Sequence, residues 1–351
     1  MTSTSNLKIS VIIPVHHGGD NFLKCLQSFS NGSHIPAEII VVADGETDGS
    51  GSLAQKLGVR VLSLSETGGP ARARNLGAAM ARGDIFLFID ADVTISANTV
   101  NQIATAFEND PTLDAIIGSY DDAPMATNFL SQYKNLLHHH VHQIANEEAS
   151  TFWGACGAIR RDVFVELGGF DESYRRPSIE DIELGYRLKK AGGKISLIKS
   201  LQVKHLKRWG VGSLLKSDIF QRAAPWTAVM LRDKLVINDL NLRFSNRTSV
   251  ILVYCVLCAL PLVWWWNISL MWAGAFSVLL FALNVPVYIF FMRLRGPAFT
   301  FKAVLWHWFS YIYSPLGMAV GAVSYLLSWL TKKNPLLPIP EAQPKEKDFI
   351  K

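Results

Sequence analysis

Through the first two hundred positions, apolar runs alternate with segments of helical spacing. Residues 8–15 (KISVIIPV) form a near-continuous β-branched run stopped by Pro14 and Gly18-Gly19, which predicts a strand covered on both faces. Residues 38–43 (EIIVVA), 59–64 and 84–90 (DIFLFID) predict three more strands. Between them, residues 20–30 place Phe22, Leu23, Leu26 and Phe29 on one helical face, and 52–57 and 70–81 also predict helices. This alternation predicts βαβ units on a parallel sheet. Ligands bind such sheets at the carboxyl ends of the strands, where Asp44 and Asp90 fall. Farther on, 96–107, 129–145 and 180–190 predict helices, and 115–120, 152–160 and 195–201 predict strands.

The pattern changes near residue 205. In 205–247, Leu214, Leu215, Ile219 and Ala223 recur on one face, with Lys216, Arg222, Arg232 and Lys234 elsewhere, which suits a helix lying on an anionic membrane surface. Two uncharged runs follow, 249–266 and 269–292, each long enough to span about 30 Å of hydrocarbon. Only Asn267 and Ile268 separate them, predicting a tight hairpin with Trp264, Trp265 and Trp266 in the interfacial belt. A third apolar stretch begins near 303 with an aromatic front half (LWHWFSYIY) and predicts a span over about 310–330. That span places Lys332 and Lys333 opposite Arg293, Arg295 and Lys302, against the positive-inside rule. The expected organisation is an α/β domain over 1–204, interfacial helices over 205–248, a transmembrane region over 249–331 and a polar tail over 332–351.

Composition narrows the function classes. A 49% apolar chain excludes general disorder, and 25 Gly with 15 Pro exclude collagen-like sequence. Of 34 basic and 29 acidic residues, eight and three follow Ser249, which leaves the first 248 residues with 26 of each sign. A neutral first part argues against a nucleic-acid partner. Four cysteines make no disulfide framework, and the C-x-x-C of Cys255 and Cys258 lies in an apolar run that reads as helix packing. The N-terminus, MTSTSNLKIS, lacks a basic region followed by an apolar one, so the first domain is expected in the cytoplasm.

The chemistry concentrates in carboxylates. Asp90-x-Asp92 closes an apolar strand, where two carboxylates converge on one hard cation that holds phosphate oxygens and offsets charge on a departing diphosphate. The turn from Gly68 to Asn75 (GGPARARN) runs into a helix carrying Arg72 and Arg74, a seat for a diphosphate. Glu180 and Asp181 open a helix after Gly168-Gly169-Phe170-Asp171-Glu172, and an aspartate there can act as general base toward an acceptor hydroxyl. In the cluster His138-His139-His140-x-His142, only His138 and His142 share a helical face, so it reads as packing rather than a metal site.

Together V-I-I-P-V (11–15), V-V-A-D-G-E-T-D-G-S (41–50), G-G-P-A-R-A-R-N-L-G (68–77), F-I-D-A-D (88–92), G-G-F-D-E (168–172) and E-D-I-E-L-G-Y-R-L-K-K-A-G (180–192) resemble glycosyltransferase family 2 over roughly residues 7–205. The resemblance implies a GT-A fold, a Rossmann-like α/β nucleotide-sugar domain with a mostly parallel sheet, here followed by transmembrane helices. It implies an inverting transfer from a nucleotide-sugar, usually a UDP-sugar, assisted by Mg²⁺ or Mn²⁺. Carried over by position, Pro14, Asp44, Arg74 and Asp90 would bind the nucleotide-sugar, Asp92 and the late His205 would hold the metal, and Asp181 would be the catalytic base. The chain carries Ala43-Asp44-Gly45-Glu46 where the family commonly has Asp-Asp-Gly-Ser; the second aspartate is kept, and with it the implied nucleotide binding. Its Q-R-A-A-P-W (221–226) lacks the arginine of processive members, which favours single additions over a processive polysaccharide synthase. The expected partners are a nucleotide-sugar, a lipid or lipid-linked acceptor and the cell (inner or plasma) membrane, with a multi-pass chain and a cytoplasmic catalytic domain. A scaffold built on a transferase-like domain is the non-enzymatic alternative, and the intact Asp44, Asp90, Asp92 and Asp181 speak against it.

Overall fold

The apolar runs become the strands of one eight-stranded sheet in a computed structural model that describes residues 7–32, 35–234 and 243–331. The predicted polar tail and residues 235–242 of the basic segment lie outside the described residues. Strands β1 (Ile9–Val15), β2 (Glu38–Asp44), β3 (Arg60–Leu64) and β4 (Ile85–Ile89) pair in parallel in the order β3-β2-β1-β4. The sheet continues with β7 (Cys156–Arg160), β6 (Ala115–Tyr120), β8 (Ile195–His205) and the two-residue β5 (Val93–Thr94). β7 runs antiparallel to β4 and β6, and β5 antiparallel to β8, so the sheet is mixed but mostly parallel.

Helices α1 (Gly19–Ser28), α2 (Ser50–Lys56), α3 (Pro70–Met80), α4 (Thr99–Asn109), α6 (Arg161–Glu166) and α7 (Glu180–Lys190) accompany the sheet. Val11, Ile12 and Ile13 of β1 are fully buried, and burying a side chain of this size contributes about 1.5–3 kcal/mol. α3 lies directly on this strand: a Cβ on Gly77 would come within 2.5 Å of Ile12. Phe88 of β4 meets Phe152, Phe164 and Phe170 at ring separations of 5.0–6.2 Å.

The described residues form two compact units, one of 7–127 with 146–208 and one of 128–145 with 209–331. The second therefore includes α5 (Phe129–Ile144) as well as everything after Arg208, a more interleaved division than the expected single boundary at 204. In it, α5 buries Tyr133 and Leu136 against Val287, Tyr288, Phe291 and Ala303. The basic segment forms α8 (Val211–Lys216), a π-helical stretch Ser217–Ala223 and α9 (Ala224–Asp233). Its apolar face packs within the protein: Leu214 is buried with Leu130 and Trp209, and Ile219, Ala223 and Ala224 abut Gly317 and Gly321.

Among the described residues two helices, α10 (Phe244–Leu262) and α11 (Ile268–Thr331), are long and apolar enough to cross a membrane, with mean hydropathy 1.4 and 2.1. α11 is two limbs divided at Gly296, whose φ of 76° only glycine adopts readily. Its second limb carries the aromatic residues near 303–313 and the expected span near 310–330 as one continuous helix. Trp264, Trp265 and Trp266 are exposed between α10 and α11. Polar groups among these helices bond to one another: Asn284 donates to Ser249 Oγ at 3.0 Å and accepts from the Tyr311 hydroxyl at 2.9 Å.

Candidate active site

The carboxyl ends of β2 and β4 bring the first acidic groups into place. Asp44 ends β2 and is 4% exposed. Its carboxylate accepts hydrogen bonds from the Thr67 hydroxyl at 3.0 Å and from the Gly68 and Gly69 N–H groups, both at 2.8 Å. The aspartate expected to bind the nucleotide thus gives its oxygens to the turn that opens α3. Gly69 must be glycine there: its φ is 89°, and a Cβ would lie 2.5 Å from the Arg175 backbone. Pro14 sits next to the end of β1, opposite Val42 and partly exposed.

Arg74 of α3 is buried, its side chain 5% exposed. One guanidinium nitrogen donates to Asp90 at 2.7 Å and the other to Glu180 at 2.8 Å. The Phe170 ring lies 5.4 Å from the guanidinium carbon. The expected diphosphate ligand is therefore engaged by two carboxylates. Burial pushes the Asp90 carboxyl up against the pull of Arg74.

Asp181, in the first turn of α7, accepts from the Gly154 N–H at 2.9 Å and from the Ile182 N–H at 2.8 Å. Burial and the adjacent Glu180 raise its carboxyl to about 6, against the pull of the Gly154 N–H and Arg74. That value suits a general base near neutral pH. Glu180 also accepts from the Ser178 N–H at 2.9 Å, fixing the start of the helix.

Asp92 and His205 form a second pair, brought together because Val93 of β5 pairs with His205 of β8. Asp92 Oδ2 and His205 Nε2 stand 3.7 Å apart, too far for a good hydrogen bond and close enough for one small cation to touch both. Burial works to raise the Asp92 carboxyl, but His205 and Lys207 hold it below the usual carboxylate range. The carboxylate suits Mg²⁺ or Mn²⁺, and the imidazole beside it favours Mn²⁺, the softer of the two. Among the described residues no three His, Cys, Asp or Glu side chains converge as a metal cage, so further ligands would come from diphosphate and water. The four cysteines are free.

Sequence reasoning missed the loop before β7. The predicted strand 152–160 begins only at Cys156, because the Gly154 N–H turns away from the ladder to Asp181. Nothing local signals a residue that acts through its backbone. Trp153 on that loop meets Tyr120 edge-on at 4.8 Å, and Tyr120 stacks on His205 at 4.3 Å.

Residues 10–168 match the family "Glycosyl transferase family 2". Glycosyltransferase GlyG of Streptococcus pneumoniae is 31% identical over 117 residues, covering 32% of this chain and 38% of that protein. Glucosyl-dolichyl phosphate glucuronosyltransferase of Haloferax volcanii is 21% identical over 193 residues, covering 50% of this chain and 60% of that protein. The chain thus spans less than two thirds of the length of these curated relatives. The mannosyltransferase PcManGT of Pyrobaculum calidifontis, solved with GDP-Man and Mn²⁺, shares the fold at a TM-score of 0.57 and 16% identity, covering 92% of this chain and 88% of that one. Over residues 10–168 the chain is thus similar to glycosyltransferase family 2, and its fold is GT-A.

Proposed function

We propose that the protein transfers a sugar, with inversion, from a UDP-sugar to a lipid or lipid-linked acceptor at the cytoplasmic face of the cell membrane. The observation that carries this reading is Asp181, a base with its carboxyl near 6, tied through Glu180 and Arg74 to the D-x-D end of β4. Asp181 takes the proton of the acceptor hydroxyl, and that oxygen attacks the anomeric carbon from the side opposite the nucleotide. Asp92 and His205 would hold a divalent cation, which when bound offsets charge on the departing diphosphate. Asp90, whose side chain is 34% exposed, keeps one carboxylate oxygen for the donor while the other bonds Arg74. The apolar helices α10 and α11 supply the anchor, and the lipid acceptor draws support from the dolichyl phosphate named in the Haloferax relative. Single addition is preferred because the processive arginine is missing.

The test uses the purified full chain in vesicles with membrane lipid extract, radiolabelled UDP-sugars and GDP-mannose. The expected result is label in the lipid fraction from a UDP-sugar. Chelation abolishes it and Mn²⁺ restores it. Label in a long polymer would identify a processive synthase, and no transfer from any donor would refute the reading.

A further inference from the structure

Two neighbours of the base, Glu180 and Gly154, border one side chain. Asp181 is flanked by Glu180, its neighbour on α7, and by Gly154, whose N–H it accepts. Glu180 bonds the Arg74 guanidinium through Nη1 at 2.8 Å. Gly154 lies against the same guanidinium, because a Cβ on it would meet Arg74 Nη2 at 3.0 Å. Nη2 in turn bonds Asp90, two residues before Asp92. We propose that Arg74 is the positioning residue of this active site, fastening the base-bearing end of α7 to the D-x-D end of β4, and that it does not bind the diphosphate. This rests on the proposed transfer reaction and gives one of its expected donor ligands a different task.

Three observations carry it. Gly154 and the Phe170 ring close two sides of the guanidinium, and the side chain is 5% exposed, so a diphosphate has no open approach. Arg74 Nε is buried without a hydrogen-bond partner, so both ion pairs come from the terminal nitrogens, a forked arrangement that lysine does not reproduce. The guanidinium faces three carboxylates, Asp90, Glu180 and Asp181, and all three favour its charge. The groups facing Asp181 are Glu180 and the Ile182 N–H on its own helix, Arg74 on α3 and the Gly154 N–H on the loop before β7. Glu180 and burial raise the base, and Arg74 restrains that rise.

The experiment reads Asp181 without donor or acceptor. Labelling by a water-soluble carbodiimide, which attacks protonated carboxyls, is followed against pH by peptide mass spectrometry on the full chain, for the native protein, Arg74→Gln and Arg74→Lys. Calorimetry of the same proteins measures UDP and GDP binding with Mn²⁺. In Arg74→Gln the Asp181 midpoint should rise by about one pH unit. In Arg74→Lys it should rise less, with nucleotide affinity in both within about tenfold of native. A midpoint that does not move overturns the proposal. So does a loss of nucleotide affinity of about a hundredfold or more, which marks a diphosphate ligand. If Arg74→Gln does not fold, Arg74→Lys decides the matter by the same two readings. Absence of sugar transfer refutes the proposed reaction and leaves this measurement intact.

Discussion

Asp181 and Asp44 show how one residue type takes opposite tasks. Asp181 has two backbone donors and a raised carboxyl, so it is half protonated near pH 6 and ionised above it. A base works only when ionised. The kcat/KM for transfer should therefore fall about tenfold per pH unit below 6 and level off above it, in an initial-rate profile. Asp181→Asn should lower the rate by about 10²–10⁴-fold while UDP binding persists in calorimetry. Asp44 spends its carboxylate on three donors of the turn 67–69. Asp44→Ala removes the acceptor of all three, including the buried Gly69 N–H, and should cost about 1–3 kcal/mol in denaturant unfolding, with Asp44→Asn costing less. Sequence motifs mark both aspartates as functional. They do not reveal what Arg74 holds, because its partners lie 16 and 106 positions away and no local pattern encodes such distances.

At the scale of elements, legibility follows length and burial. β1, β2 and β4 are legible in the sequence because both faces are covered and the whole run is apolar. β5 has two residues and α6 six, too short for any period to register. The start of β7 is hidden because apolarity continues through 152–155, where tertiary contacts, not propensity, end the ladder. The basic segment is amphipathic as its spacing predicts, but its apolar side meets Gly317 and Gly321. A leucine at 321 would collide with the Ala224 backbone, so Gly321→Leu should lower thermal stability in detergent by about 1–3 kcal/mol. Gly321→Ala should lower it less, and an unchanged melting temperature would contradict this packing.

At the scale of the whole molecule, the order of chain segments has a practical result. The path leaves the sheet-bearing unit at α5, returns at 146 and departs again after 208. Cutting at 208 would keep α5 yet strip away Val287, Phe291 and Ala303, which shield Tyr133 and Leu136. A 1–208 fragment should elute as aggregate in size-exclusion chromatography, whereas the same fragment with 128–145 replaced by a glycine-serine linker should elute as a monomer. Severing this polypeptide at one point thus orphans a greasy strut, and a freestanding soluble transferase needs two incisions and a splice.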